Sequence, residues 1–261
     1  MHSEICSALQ ADKCFNEWLQ LLPTAFDHMG EVVFSGRNQI RKTAVQLDDG
    51  SMTVVVVKRY RVPHFFQRIA YSWLIATKAR RAYFNAWQLN SRHIDTPEAL
   101  AYTECRAAGW LGYSFLLTKV DDQEAIAGML RMDDAFDRPF ATALAAFFAR
   151  LHDRGVIHQD LNNTNIRFSR KEDGTYSFSL IDINRMTFFC PNEAPPLREC
   201  LHNLTLYWDL SPMYSYVAHE YIRLRGLPEE TYPLLIRIKK AHDRHWRHKK
   251  ALSHLWHQIV H

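Results

Sequence analysis

The first third of the chain places its apolar residues in short β-prone runs, Glu31–Phe34, Ile40–Leu47 and Met52–Tyr60, which predict strands after an opening helix. Asp48-Asp49-Gly50-Ser51 separates the last two runs and predicts a hairpin, because Asp and Gly tolerate positive φ. A stretch without Gly or Pro, Phe65–Ser91, predicts helix, and Asp95-Thr96-Pro97 stops it. Two more strands follow at Ala99–Glu104 and Tyr113–Val120.

Beyond this point the period lengthens. Ala141–His152 carries Leu144, Phe147, Phe148 and Leu151 at helical spacing, which makes one buried face, and Gly155 suits the region of its C-terminal cap. Val156-Ile157, Ile166–Phe168 and Phe178–Ile181 read as short strands, with Lys171–Thr175 as the turn between the last two. After Pro196 the pattern is helical. The expected plan is α+β and two-lobed: a strand-rich small lobe with an N-terminal helix over 1–120, and a helical large lobe over 121–261, together one catalytic unit.

Composition adds limits. Apolar residues make up 47% and charged residues 23%, ordinary values for a folded chain. Five scattered cysteines without a C-x-x-C pair argue against a disulfide framework or zinc module and for a reducing compartment. The N-terminus lacks a basic start and an unbroken apolar core, and the longest apolar run, Ala143–Ala149, is far short of the ~20 residues a membrane helix needs. A cytoplasmic protein is expected. The net charge of +4 is concentrated in Lys58–Arg61, Lys78–Arg81 and a tail bearing Lys239, Lys240, Arg244, Arg247 and Lys249. Such clusters favour an anionic partner. His242, His245 and His248 recur on the tail, with His254, His257 and His261 beyond; without cysteines they read as part of a cationic, tryptophan-bearing face (Trp246, Trp256) rather than a metal site.

The candidate chemistry lies in three places. His158-Gln159-Asp160-Leu161-Asn162-Asn163-Thr164-Asn165 follows an apolar helix and strand, and its H-x-D-L-x-x-x-N spacing sets a carboxylate and an amide oxygen on one loop. Leu180-Ile181-Asp182 puts a second carboxylate after an apolar strand, where it suits a hard divalent ion. Lys58 ends the apolar run Val54–Val57, and strand alternation lets only one of Lys58 and Arg59 face a given side. Phosphoryl transfer needs these parts: a carboxylate to accept the attacking hydroxyl's proton, metal ligands and a cation on the phosphates. His158 reads as a structural member of the loop.

Together with His64–Tyr71, Lys78–Tyr83, Thr96-Pro97-Glu98 and Ile181-Asp182-Ile183-Asn184-Arg185, these motifs resemble the lipopolysaccharide kinase family, which includes Kdo and core heptose kinases of Gram-negative bacteria. The likeness runs from about Ser35 to Arg185, and more weakly to the C-terminus. It implies a protein-kinase-like fold and ATP- and magnesium-dependent phosphorylation of a sugar hydroxyl, on Kdo or heptose, in the lipopolysaccharide inner core. It also implies Asp160 as catalytic base, Asn165 and Asp182 as metal ligands and Lys58 as the ATP-phosphate lysine. Peripheral contact with an anionic membrane at the inner face of the cytoplasmic membrane fits such a substrate; a nucleic-acid partner does not. Asp182-Ile183-Asn184 replaces the Asp-Phe-Gly of protein kinases, and a single glycine, Gly36, stands where a Gly-rich loop is expected. No Asp or Glu lies between Thr53 and Arg92, so the counter-charge of Lys58 must come from elsewhere than the following helix. That gap motivates a pseudokinase scaffold as one alternative; a kinase for a protein or soluble small molecule is the other.

Overall fold

The computed structural model describes the backbone of residues 1–191 and 193–260 and, outside 65, 66, 74 and 251–260, their side chains. The side chains of His254, Trp256 and His257, and His261 as a whole, therefore lie outside the described residues. The chain divides into two compact units: Met1–Asp122 with Leu180–Arg185, and Gln123–Ser179 with the residues from Met186 onward.

The first unit is built on an antiparallel six-stranded sheet, β1 (His2–Ile5), β2 (Glu31–Ser35), β3 (Gln39–Gln46), β4 (Met52–Tyr60), β5 (Ala99–Ala107) and β6 (Trp110–Lys119), in the order β1-β5-β6-β4-β3-β2. Helix α1 (Lys13–Ala25) buries Phe15, Leu19 and Leu22, spaced four and three apart, against Val45, Val55, Val57, Phe115 and Leu117. Each such side chain contributes roughly 1.5–3 kcal/mol by leaving water. The expected hairpin also serves this helix: Asp48 accepts from the amides of Lys13 (2.9 Å) and Cys14 (2.8 Å), and these donors hold its carboxyl below the usual range.

Strand β1 was not expected. His2–Ile5 has little apolar content, and it is held by pairing along β5 from His2↔Glu104 to Ile5↔Ala101. The helix expected over Phe65–Ser91 is interrupted. Helix α2 (Phe65–Ile69) runs into a π-helical turn, Ala70–Leu74; Ile75 is extended (φ −131°), and α3 (Lys78–Ser91) starts afresh. Thr77 causes the restart: its hydroxyl accepts from Arg80 N (3.2 Å) and donates to the buried Glu104 carboxylate (2.8 Å).

The second unit contains α4 (Arg138–Asp153), whose Phe140, Leu144, Phe147, Phe148 and Leu151 are buried, packed on α6 (Pro212–Leu224). Asp137 caps α4 through Phe140 N (2.9 Å) and accepts from the Tyr176 hydroxyl (2.7 Å). Strand β7 (Glu124–Ala125) pairs with β9 (Ile166–Arg170), which pairs with β10 (Tyr176–Leu180); β8 (Val156–His158) pairs with β11 (Met186–Phe188). Helices α5 (Leu197–Asn203) and α7 (Thr231–Val260) complete the unit.

Lys239 does not belong to a solvated cationic face. It is 2% exposed, and its ammonium donates to Thr205 O (3.0 Å) and Asp243 Oδ1 (2.7 Å). Arg244, Arg247, Lys249 and Lys250 are exposed, with Lys250 Nζ 5.1 Å from the ring centre of the exposed Trp246. Among the described residues no helix is long and apolar enough to cross a membrane, no three or more His, Cys, Asp or Glu gather as a metal cluster, and all five cysteines are unpaired.

Candidate active site

Strand alternation on β4 sends Val55, Val57 and Arg59 toward α1 and the 3-10 turn that follows it, where Arg59 pairs with Asp27 (2.8 Å), and places Lys58 and Tyr60 on the opposite face. Lys58 Nζ lies 2.6 Å from Asp182 Oδ1, with 16% and 32% of the two side chains exposed. The missing helix acid is therefore no vacancy. Asp182 itself supplies the counter-charge, and Asn184 Nδ2 donates to the same oxygen (2.7 Å).

Asp182 adopts φ +53°, a left-handed conformation that few residues other than Gly take and that Asp tolerates better than most. The strain is held by the segment's anchors. Leu180 N donates to Asp95 O (2.9 Å), Thr96 Oγ1 to Leu180 O (2.7 Å) and Asn85 Nδ2 to Ile183 O (2.7 Å). These bonds are why Leu180–Arg185 groups with the first unit rather than with the sequence around it.

Asn85 was not singled out from the sequence. Its signal was available: Lys78, Arg81 and Asn85 recur at i, i+3 and i+7 and so share one helix face. Phe84, one residue before Asn85, is 39% exposed and packs on Tyr83 and Tyr102. The β2–β3 loop carries Gly36, where a Cβ would meet the Phe34 ring at 2.8 Å.

In the second unit, the loop after β8 is tied by its own side chains. Asp160 N donates to His158 Nδ1 (3.1 Å), which puts that neutral imidazole's proton on Nε2 and makes His158 a scaffold for the loop. Asn162 is a hub that sequence reading passed over. Its Oδ1 accepts from Thr164 N (3.0 Å), Thr164 Oγ1 (2.6 Å) and Asn165 N (3.1 Å), while its Nδ2 donates to Asp160 Oδ1 (3.1 Å). Asn165 Nδ2 donates to Asp160 O (2.8 Å). The amide nitrogen being committed, Asn165 presents its oxygen.

Beneath the loop, Asn203 Nδ2 donates to His158 O (2.7 Å), so its Oδ1 accepts from His152 Nε2 (3.2 Å). His152 Nδ1 then accepts from the Tyr221 hydroxyl (2.8 Å), whose oxygen accepts from Arg225 (2.7 Å). Every proton in this chain has a place only if His152 is neutral. Burial, with the Arg225 charge opposing protonation, pushes its pKa down to about 3.

The Asp182 carboxylate and the Asn165 amide oxygen are each hard donors of the kind magnesium prefers and a thiophilic metal does not. Asp160 is half-buried and hydrogen-bonded within its loop.

The antiparallel sheet with its lysine-bearing strand, the H-x-D loop and the anchored Asp182 define a protein-kinase-like fold. WaaP in complex with acyl carrier protein is similar in structure, with a TM-score of 0.60 at 17% identity, covering 94% of this chain and 99% of that one. The Rio2 kinase–ADP/Mg2+–phosphoaspartate complex from Chaetomium thermophilum matches with a TM-score of 0.47 at 14% identity, over 88% of this chain and 75% of that one. No curated protein matches the sequence. Residues 29–194 match the model of the lipopolysaccharide kinase (Kdo/WaaP) family, and the chain belongs to that family. It is a kinase.

Proposed function

We propose that the protein transfers the terminal phosphoryl group of ATP to a sugar hydroxyl, of Kdo or heptose, in the lipopolysaccharide inner core. The Lys58–Asp182 pair carries this reading, because it joins the expected phosphate cation and metal ligand in the absence of a helix acid. Lys58 is assigned to the nucleotide phosphates. Asp160 orients the acceptor hydroxyl and takes its proton, its carboxylate aimed by Asn162 and its backbone by His158. Asp182 and Asn165 would hold magnesium, which when bound neutralises phosphate charge. The pairing gives Lys58 a counter-charge other than a helix acid, which supports an active kinase over a pseudokinase scaffold.

The test is a transfer assay with ATP, magnesium and a Kdo-containing acceptor. Asp160→Asn is expected to lower kcat by ~10²–10⁴-fold, the usual worth of a positioned base, with nucleotide affinity within a few-fold of wild type. Asp182→Ala is expected to abolish the magnesium dependence of ATP binding. Turnover on a soluble sugar or protein but not on the Kdo acceptor overturns the substrate assignment; a near-normal Asp160→Asn rate removes Asp160 as base.

A further inference from the structure

Beside the Lys58–Asp182 pair, the first unit holds a pocket of about 270 Å³ whose wall includes Arg37, Tyr60, Arg61, His64 and Lys78. The size lies near the ~300 Å³ lower end of small-ligand sites. Among the described residues no Asp or Glu lines the pocket, and neither Lys58 nor Asp182 does. It adjoins that pair nonetheless: Tyr60 shares the Lys58 face of β4, with Lys58 Nζ 5.2 Å from its ring centre.

Three features of the wall converge on negative charge. Arg37, Arg61 and Lys78 bring three cations together, and among the described residues none of them forms an ion pair. Burial, then the charges of Arg37 and Arg185, push the Lys78 ammonium below its ordinary pKa against the opposing pull of Asp182. Lys78 also begins the 14-residue α3, whose N-terminus adds positive potential. The third feature is Tyr60, which is 3% exposed and whose hydroxyl has no hydrogen-bond partner among the described residues. Buried hydroxyls are seldom left so. An oxyanion answers all three: it neutralises the cations, meets the helix end and accepts from the phenol.

We propose that this pocket is an anion subsite in which Lys78, Arg37 and Arg61 hold a carboxylate or phosphate substituent of the acceptor while the Tyr60 hydroxyl donates to it. Assignment to the acceptor rests on the phosphotransferase reading; anion binding itself does not. The subsite adds recognition beside the phosphates held at Lys58.

The test titrates inorganic phosphate into the nucleotide-free full chain and measures KM for ATP and for the Kdo-containing acceptor. Lys78→Gln and Tyr60→Phe are each expected to weaken phosphate binding and raise the acceptor KM about tenfold. The KM for ATP stays within twofold, and Lys78→Arg retains binding. Wild type that fails to bind phosphate at millimolar concentration overturns the subsite. So does a rise in the ATP KM matching that of Lys58→Met, which would merge the pocket with the nucleotide site. Weakened phosphate binding with an unchanged acceptor KM overturns the assignment to the acceptor. Wild type without turnover, yet binding phosphate through Lys78, retires the phosphotransferase reading and keeps the subsite.

Discussion

Asn162 shows how one side chain can set a reactive loop. Three donors converge on its Oδ1 and its amide nitrogen reaches Asp160, so it fixes both the loop's path and the carboxylate's rotamer. The bonds made by Asn162 are exposed or only part-buried, where each lost bond costs about 0.5–1.5 kcal/mol, but reaction rates are far more sensitive to placement than stability is. Asn162→Ala is therefore expected to lower kcat by ~10²-fold while thermal stability falls only slightly. Asn162→Asp, which keeps the accepting oxygen, should recover loop order but leave a like charge beside Asp160. Equal kcat in wild type and Asn162→Ala, measured per folded molecule, would show that the hub does not position Asp160. Asp160, Asn165, Asp182 and Lys58 were legible as residue types at recognisable spacing. Asn162 and Asn85 were not, because their importance lies in which backbone atoms they meet, and Asp182's left-handed φ is a property of the folded chain.

At the scale of elements, strands β2 to β6 and helix α4 were legible because each carries a sustained apolar pattern. Helix α3 was legible in kind but not at its start. Nothing in the Ile75–Thr77 stretch is a helix breaker; the interruption comes from tertiary demand, since the Thr77 hydroxyl must serve both the α3 amide of Arg80 and the buried Glu104. Thr77→Val removes the cap, typically worth ~1 kcal/mol, and withdraws a donor from a buried carboxylate. Arg106 still pairs with Glu104 at 2.8 Å and limits the damage. A loss of about 2 kcal/mol is expected, read as a lower urea midpoint at unchanged m, with Thr77→Ser restoring most of it. A Thr77→Val midpoint equal to wild type would mean that α3 starts at Lys78 for another reason.

For the whole molecule, the two-lobed α+β plan was legible, but the placement of Leu180–Arg185 with the first unit was not, because it depends on bonds from Asp95, Thr96 and Asn85. Global stability should likewise depend on one buried network. His152 is neutral in the folded state with a pKa of about 3, while in the unfolded chain it titrates at its ordinary 6.5. Below 6.5 the unfolded state binds a proton that the folded state refuses, so unfolding gains and stability falls with falling pH. The contribution is fully present above pH 6.5 and is lost down to about pH 3, at up to ~1.4 kcal/mol per pH unit inside that window. His152→Gln removes the titrating group and keeps a side chain able to hydrogen-bond Asn203. The variant should be less stable at pH 7.5, because Tyr221 loses its acceptor, yet its Tm should decline more gently than wild type between pH 6.5 and 4. Parallel Tm profiles for the two proteins would show that His152 is not the source of acid sensitivity, and the neutral-imidazole relay from Arg225 to the His158 carbonyl would have to be redrawn.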